Sequence, residues 1–260
     1  MKGFSTSAAL GTALLGLATT TAAHDFWLVA VGDELHGISG ASFPVSENAV
    51  APERIAEAVA VHGGGRTPLT VVGTRGTILV LTANPVLQGP LWAAVAIKPR
   101  RIDLSADDFN EYLRHDGLPQ VLREREERGE LARPAVERYQ KYAKALIPRR
   151  GAGSTLVAAV GHRIELVPAR DPTTLRAGDT LVLEARFEGH PAPGLTVHAG
   201  FAGQPDGHHA QEHVSDAAGR VRIPLPVAGS WYARTIHMRR IAEPPFEWES
   251  FWASVTFPVR

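Results

Sequence analysis

Histidine is the side chain in this sequence best suited to bind a metal ion. The chain has 11 His but only 2 Met and no Cys, which excludes disulfides, thiolate metal sites and cysteine nucleophiles. Imidazole is therefore the main remaining ligand of intermediate softness, and it suits copper and nickel. Two histidines stand out by position, His24 near the N-terminus and His237 near the C-terminus.

Residues 1–23 have the composition of a secretory signal peptide. Lys2 provides a positive charge, residues 8–18 are apolar, and residues 19–23 are small, as is typical of a cleavage region. The apolar run is shorter than the roughly 20 residues of a spanning helix, and no later segment is long and apolar enough to cross a bilayer. We therefore expect a periplasmic or secreted protein that does not span the membrane after cleavage.

Cleavage after Ala23 would make His24 the first residue of the mature chain. A terminal His can offer its α-amine and its imidazole to the same metal ion, a chelate that no internal His can form. Such nitrogen sites suit copper or nickel, which prefer tetragonal geometry with N and O donors. Cleavage one residue earlier would still allow chelation through the amine, the next amide and the imidazole. Alternatively, His24 is simply the first residue of a strand.

His237 is the second candidate ligand. It lies in the strand-like run 231–240, and a position facing the N-terminal strand would complete a clamp of two His side chains and the amine. The alternative is a core histidine. Met238 points to the opposite face of the same strand and is expected in the core. The remaining cluster, His208, His209 and His213, is expected in an exposed polar loop.

Composition and spacing predict a mainly β fold. The 44% hydrophobic fraction is enough for a core, and 27 basic against 27 acidic residues give no electrostatic reason to expect a nucleic-acid partner. Short strands separated by Gly, Pro and Asn predict an N-terminal β domain over 24–104. A second series over 151–260 is typical of an immunoglobulin-like β-sandwich.

Residues 105–150 have a different, charged composition and helical spacing. Ser105 opens a predicted helix that Gly117 closes, and a second helix ends at Gly129. A third helix is predicted from Pro134 to Ile147. The expected architecture is therefore two immunoglobulin-like β-sandwich domains with a helical insertion and linker between them.

Several strings resemble a bacterial exported family of unknown function, often described as similar to the substrate-specific component of nickel/cobalt uptake systems. The strings occupy 24–28, 109–113, 137–144, 161–168, 236–239 and 248–254, and they read HDFWL, FNEYL, ERYQKYAK, GHRIELVP, IHMR and WESFWAS. The resemblance implies a metal held partly by the protein's own N-terminus, which is His24 here. The sequence lacks the several transmembrane helices of a complete uptake component, so we expect any transport role to be that of a soluble binding protein or donor, with a membrane metal transporter as its partner.

The preferred hypothesis is an exported protein that binds nickel, cobalt or copper through His24 and His237, for metal uptake or delivery. One alternative is a copper-dependent oxidase or monooxygenase with the same clamp, and another is a metal-free structural or adhesion module. Hydrolase signatures are absent, since the sequence has no Gly-x-Ser-x-Gly, His-Glu-x-x-His or phosphate-binding glycine loop.

Overall fold

The computed structural model describes residues 24–83, 89–149, 156–205 and 209–260, and these residues form seventeen strands and two α-helices. In chain order, strands β1 to β17 are Asp25–Val31, Glu34–Gly40, Ile55–His62, Gly65–Pro68, Thr70–Arg75, Ile78–Thr82, Leu91–Ile97, Arg100–Leu104, Ala135–Ile147, Ile164–Pro168, Thr180–Phe187, His190–Pro191, Thr196–Phe201, Gln211–Val214, Arg220–Pro224, Gly229–Glu243 and Phe246–Val259. Helices α1 and α2 are Ala106–His115 and Pro119–Glu127. The predicted mainly β class is confirmed. The predicted signal peptide lies outside the described residues.

The strands form three sheets. The N-terminal sheet has the order β1-β2-β6-β5, and the C-terminal sheet has the order β10-β11-β12 with β15 beside β11. The central sheet has nine strands in the order β14-β13-β16-β17-β9-β7-β3-β4, with β8 also paired to β9. The β9–β17 pair is parallel, and the other pairs of this sheet are antiparallel.

The central sheet is buried on both faces, and the alternation of side chains along β7 shows this directly. Trp92 and Ala94 join the core that faces the C-terminal sheet, whereas Ala93 and Val95 join the core that faces the N-terminal sheet. Every residue of β7 is buried. A continuous apolar run such as this is what a strand covered on both faces requires.

The two helices pack beside the N-terminal sheet, on the same face of the central sheet. Ser105 is the N-cap of α1, as the sequence predicts, and its side chain accepts a hydrogen bond from the backbone N–H of Asp108. Gly117 and Gly129 follow the two helices with positive φ, as the sequence predicted. Phe109 of α1 packs against Trp248 of β17, with ring centroids 5.9 Å apart.

The predicted third helix is wrong, because the segment is the long strand β9. Its pairing with β17 on one side and with β7 and β8 on the other outweighs its helical spacing. Glu137, Lys141 and Lys144 are buried or half-buried charged residues of this strand. Because these buried residues are polar, the alternation typical of a strand is not visible in the spacing of the hydrophobic residues alone.

The division into two sandwiches joined by a helical insertion is not confirmed. The central sheet takes β3, β4, β7 and β8 from 24–104, β9 from 105–150, and β13, β14, β16 and β17 from 151–260. Both predicted boundaries therefore separate strands that are hydrogen-bonded within one sheet. Facing sheets are present, since the C-terminal sheet packs across one large core onto the central sheet.

Smaller differences concern single strands. The content of Gly, Pro, Ser and Asn predicts a loop over 32–53, but this segment contains β2, which forms a hairpin with β1 across Gly32 and Asp33. Residues 157–160, whose apolar run predicts a strand, do not form one, and β4, β8, β12 and β14 lie outside the strand-like runs of the sequence. In the described part of the chain, no helix has the length and apolar character needed to cross a membrane.

Candidate functional site

His24 lies immediately before β1, and its backbone is held in place by contacts with the central sheet. The Lys141 ammonium donates a hydrogen bond to the carbonyl oxygen of His24. One residue later, Asp25 Oδ2 lies 3.2 Å from Nε of Arg234, a residue of β16. Chain ends commonly fray unless such contacts hold them. The first residue after the predicted cleavage site is therefore fixed in the fold.

The imidazole of His24 has a defined partner at each ring nitrogen. Nε2 lies 2.7 Å from Oε2 of Glu47, and Nδ1 lies 3.2 Å from Nδ2 of Asn48. A carboxylate can only accept, so Nε2 carries the proton that it donates to Glu47. In the neutral ring, Nδ1 then has the lone pair and accepts from the Asn48 amide. Nδ1 is also the nitrogen nearer the backbone, where it can share a metal with the α-amine.

Behind His24, a buried polar network fixes the start of β1. Arg234 is 3% exposed and binds Asp25 as well as Asp116, whose Oδ1 lies 2.6 Å from Nη2 of Arg234. Its guanidinium also contacts His209, which in turn lies 2.7 Å from the Tyr232 hydroxyl. Burial raises the pKa of Asp25 to about 6, and the nearby Arg234 charge opposes that rise.

A cavity of about 530 Å³ opens beside His24, between α1, β8, β9 and β17. Glu137 lies in its wall and accepts hydrogen bonds from the hydroxyls of Ser250 and Tyr112. Burial raises the pKa of Glu137 to about 7, despite these two hydrogen bonds. Lys141 lines the same cavity, and burial lowers its pKa to about 8.

The structure does not bring His237 to His24. Arg234 reaches Asp25 of β1, so the even-numbered face of β16 is turned towards the N-terminal sheet. His237 belongs to the odd-numbered face, and its ring packs 4.1 Å from the ring of Phe187 in the C-terminal sheet. Burial lowers its pKa. The predicted clamp would require both residues on the same face of the central sheet.

Among the described residues, the other histidines do not form a cluster with metal-binding geometry. Within the described ranges, no group of three or more His, Asp or Glu side chains is placed to hold a metal ion. His213 lies in β14, where its Nε2 is 2.9 Å from Oε1 of Gln211. Met238 is 5% exposed, which confirms its predicted place in the core.

Sequence reasoning missed most of the residues that surround His24. Glu47 and Asn48 lie in the segment before β3, whose Gly, Pro, Ser and Asn content predicts only a loop, and Glu137 and Lys141 lie in the segment expected to be a helix. One signal was available for the last two, since residues 137, 139 and 141 share a face if the segment is a strand.

Comparison with known proteins identifies a family but not an activity. The profile of a domain of unknown function, DUF4198, matches residues 21–239, and the chain belongs to this family. No curated protein matches. Among solved structures, the D0-D1 domain of Intimin is similar over 90% of this chain and 97% of that chain, with 10% sequence identity and a TM-score of 0.21. That score is too low to relate the two folds.

Proposed function

We propose that this member of the family is an exported binding protein for a divalent transition-metal ion, namely copper, nickel or cobalt, and that it acts in metal uptake or delivery. The metal is chelated by the α-amine and Nδ1 of His24 once the signal peptide is removed. The supporting observation is the fixed position of His24, whose carbonyl oxygen and ring are held by Lys141 and Glu47.

The donor chemistry of His24 and its neighbours suits such an ion. Glu47 keeps the proton on Nε2, and a carboxylate in this position orients a ligating imidazole and makes it more basic. Asn48 must give up its hydrogen bond to Nδ1 when a metal binds there, and its amide oxygen can then turn towards the site. Amine, imidazole and oxygen donors together match the preferences of copper(II) and nickel(II).

His237 is left out of the proposed ligand set because it lies on the opposite face of the central sheet. The proposed site therefore depends on a group that only processing creates, the α-amine of His24.

Competitive titration of the natively processed protein with copper(II), nickel(II), cobalt(II) and zinc(II) tests this proposal. We expect submicromolar, one-to-one binding of at least one of the first three ions, and loss of that binding in His24→Ala. The matched control is His213→Ala, which removes an imidazole from β14 and should bind as the wild type does. Tight binding that survives His24→Ala would overturn the proposal.

A further inference from the structure

The cavity beside His24 contains the Lys141 ammonium, which has no direct ion-pair partner among the described residues, although Asp25, Asp116 and Glu137 lie close enough to favour its charge. The Lys141 ammonium donates to the carbonyl oxygen of His24 and lies 4.5 Å from the Trp252 ring centroid and 5.3 Å from that of Tyr139. No carboxylate of the described residues forms an ion pair with it. The nearest acidic groups are engaged elsewhere, since Asp25 pairs with Arg234 and Glu137 accepts from Ser250 and Tyr112.

A half-buried ammonium surrounded by aromatic rings is stabilised by the ring faces, but these replace only part of its lost hydration. An anion that enters the cavity would supply the missing counter-charge. Arg100 adds a second positive charge at the cavity wall, and it too has no ion-pair partner among the described residues.

The remaining lining favours an organic anion over a simple inorganic ion. Tyr112 and Trp252 stack with ring centroids 5.7 Å apart and planes 13° apart, and Ile102 and Leu104 also line the cavity. A cavity of about 530 Å³ is within the usual range for small-molecule sites, in which apolar walls hold the body and a few polar groups fix its orientation.

We propose that this cavity binds a small organic carboxylate, with its carboxylate paired to the Lys141 ammonium and its body against Tyr112 and Trp252. Because His24 lines the same cavity, the bound acid can also offer an oxygen to a metal chelated by His24. The acid would then complete a coordination shell to which the protein gives only two or three donors. This second role rests on the proposed metal-binding function, whereas the carboxylate site does not.

Calorimetric titration of the mature, metal-free protein with benzoate, succinate and citrate tests the carboxylate site, with benzamide and succinamide as neutral counterparts. We expect saturable binding of at least one acid and none of the amides. Lys141→Met should weaken acid binding by at least about tenfold, the value of one charge-assisted hydrogen bond. Lys141→Arg, which keeps the charge, should retain it. Lys98→Met removes an exposed lysine outside the cavity and serves as the control.

The carboxylate site is rejected if none of the three acids binds saturably, if the amides bind as well as the acids, or if folded Lys141→Met binds them as the wild type does. The proposed metal site is tested independently of the carboxylate site. The acid titration uses metal-free wild-type protein, so its outcome does not depend on whether His24 binds a metal. If metal and acid both bind but neither raises the affinity for the other, the role of the acid as a co-ligand is rejected.

Discussion

At the residue scale, the proposed chelate depends on which ring nitrogen of His24 carries the proton. Glu47 fixes that proton on Nε2 through a contact of 2.7 Å, and this leaves Nδ1 for the metal. Without the carboxylate, the ring could adopt the other tautomer or turn away from the α-amine. Glu47 is therefore a positioning residue, and its carboxylate is not a ligand in this account.

Glu47→Gln should weaken metal binding by about tenfold to a hundredfold, the range found when the hydrogen-bond partner of a metal-bound histidine is removed. Competitive metal titration measures the change. Glu53→Gln, an exposed substitution in the nearby turn Pro52–Arg54, is the matched control and should have no effect. Equal affinity of the Glu47 variant and the wild type would show that this carboxylate does not orient the ligand.

Glu137 gives the cavity a dependence on pH, because burial raises its pKa from 4.5 to about 7. Between these values the folded protein keeps a proton that the unfolded chain releases. The group's contribution to stability is therefore complete below pH 4.5 and is lost as the pH rises towards about 7.

Glu137→Gln removes this titration but keeps an oxygen that can accept from Ser250 and Tyr112. The unfolding free energy of the variant minus that of the wild type should be on the order of 3 kcal/mol larger at about pH 8 than at about pH 4. Urea unfolding at both pH values measures the gain, with Glu127→Gln on the exposed side of α2 as the control. If the variant and the wild type differ in unfolding free energy by the same amount at both pH values, Glu137 is not protonated in the folded protein.

His24 could be selected from the sequence because its importance follows from the predicted cleavage site, which is a local pattern. Its partners could not, because Glu47 and Lys141 reach it only through the packing of the loop before β3 and of β9. The face on which His237 lies could not be predicted for a similar reason. Strand alternation separates two faces but does not say which layer covers each one.

At the element scale, the two helices were predictable because their caps are local. Ser105 and the two glycines that end the helices act within a few residues of the chain. The segment Ala135–Ile147 has no such local determinant. Its strand conformation comes from neighbours distant in sequence, above all β17, and its buried charges acquire partners only in the folded protein.

The glycines that end the helices provide a matched test of how α1 docks on the sheet. Gly117 and Gly129 both have positive φ, so alanine should cost about 1–2 kcal/mol at either position. At Gly117, a Cβ would also lie 2.6 Å from Cγ2 of Thr196, whereas at Gly129 it would meet open space. Gly117→Ala should therefore lose clearly more unfolding free energy in urea than Gly129→Ala, and equal losses would contradict this packing.

At the scale of the whole molecule, the central sheet separates two environments. One face packs against the N-terminal sheet and the helices, and His24, the cavity and Lys141 lie on this side of the sheet. The other face meets the C-terminal sheet and carries His237 against Phe187. This layered arrangement was not predictable from strand lengths and turns, since the two predicted domains share the sheet that divides the faces.

The separation of the faces predicts that His237→Gln leaves metal affinity unchanged, although it exchanges a ring packed on Phe187 for a flexible side chain. Competitive titration beside His24→Ala provides the comparison. A loss of metal binding in His237→Gln, with the fold intact by circular dichroism, would mean that His237 belongs to the same metal site as His24.

Chelation by the mature N-terminus is tested most directly by comparing the metal affinity of two forms that differ only at the α-amine of His24. One form begins at His24 after native processing, and the other carries a long Gly-Ser linker before it, which moves the amine away while keeping the imidazole, Glu47 and the cavity. We expect submicromolar binding of copper(II) or nickel(II) by the first form and its loss in the second. Equal affinities would contradict this expectation, because the metal would then not be held by the mature N-terminus.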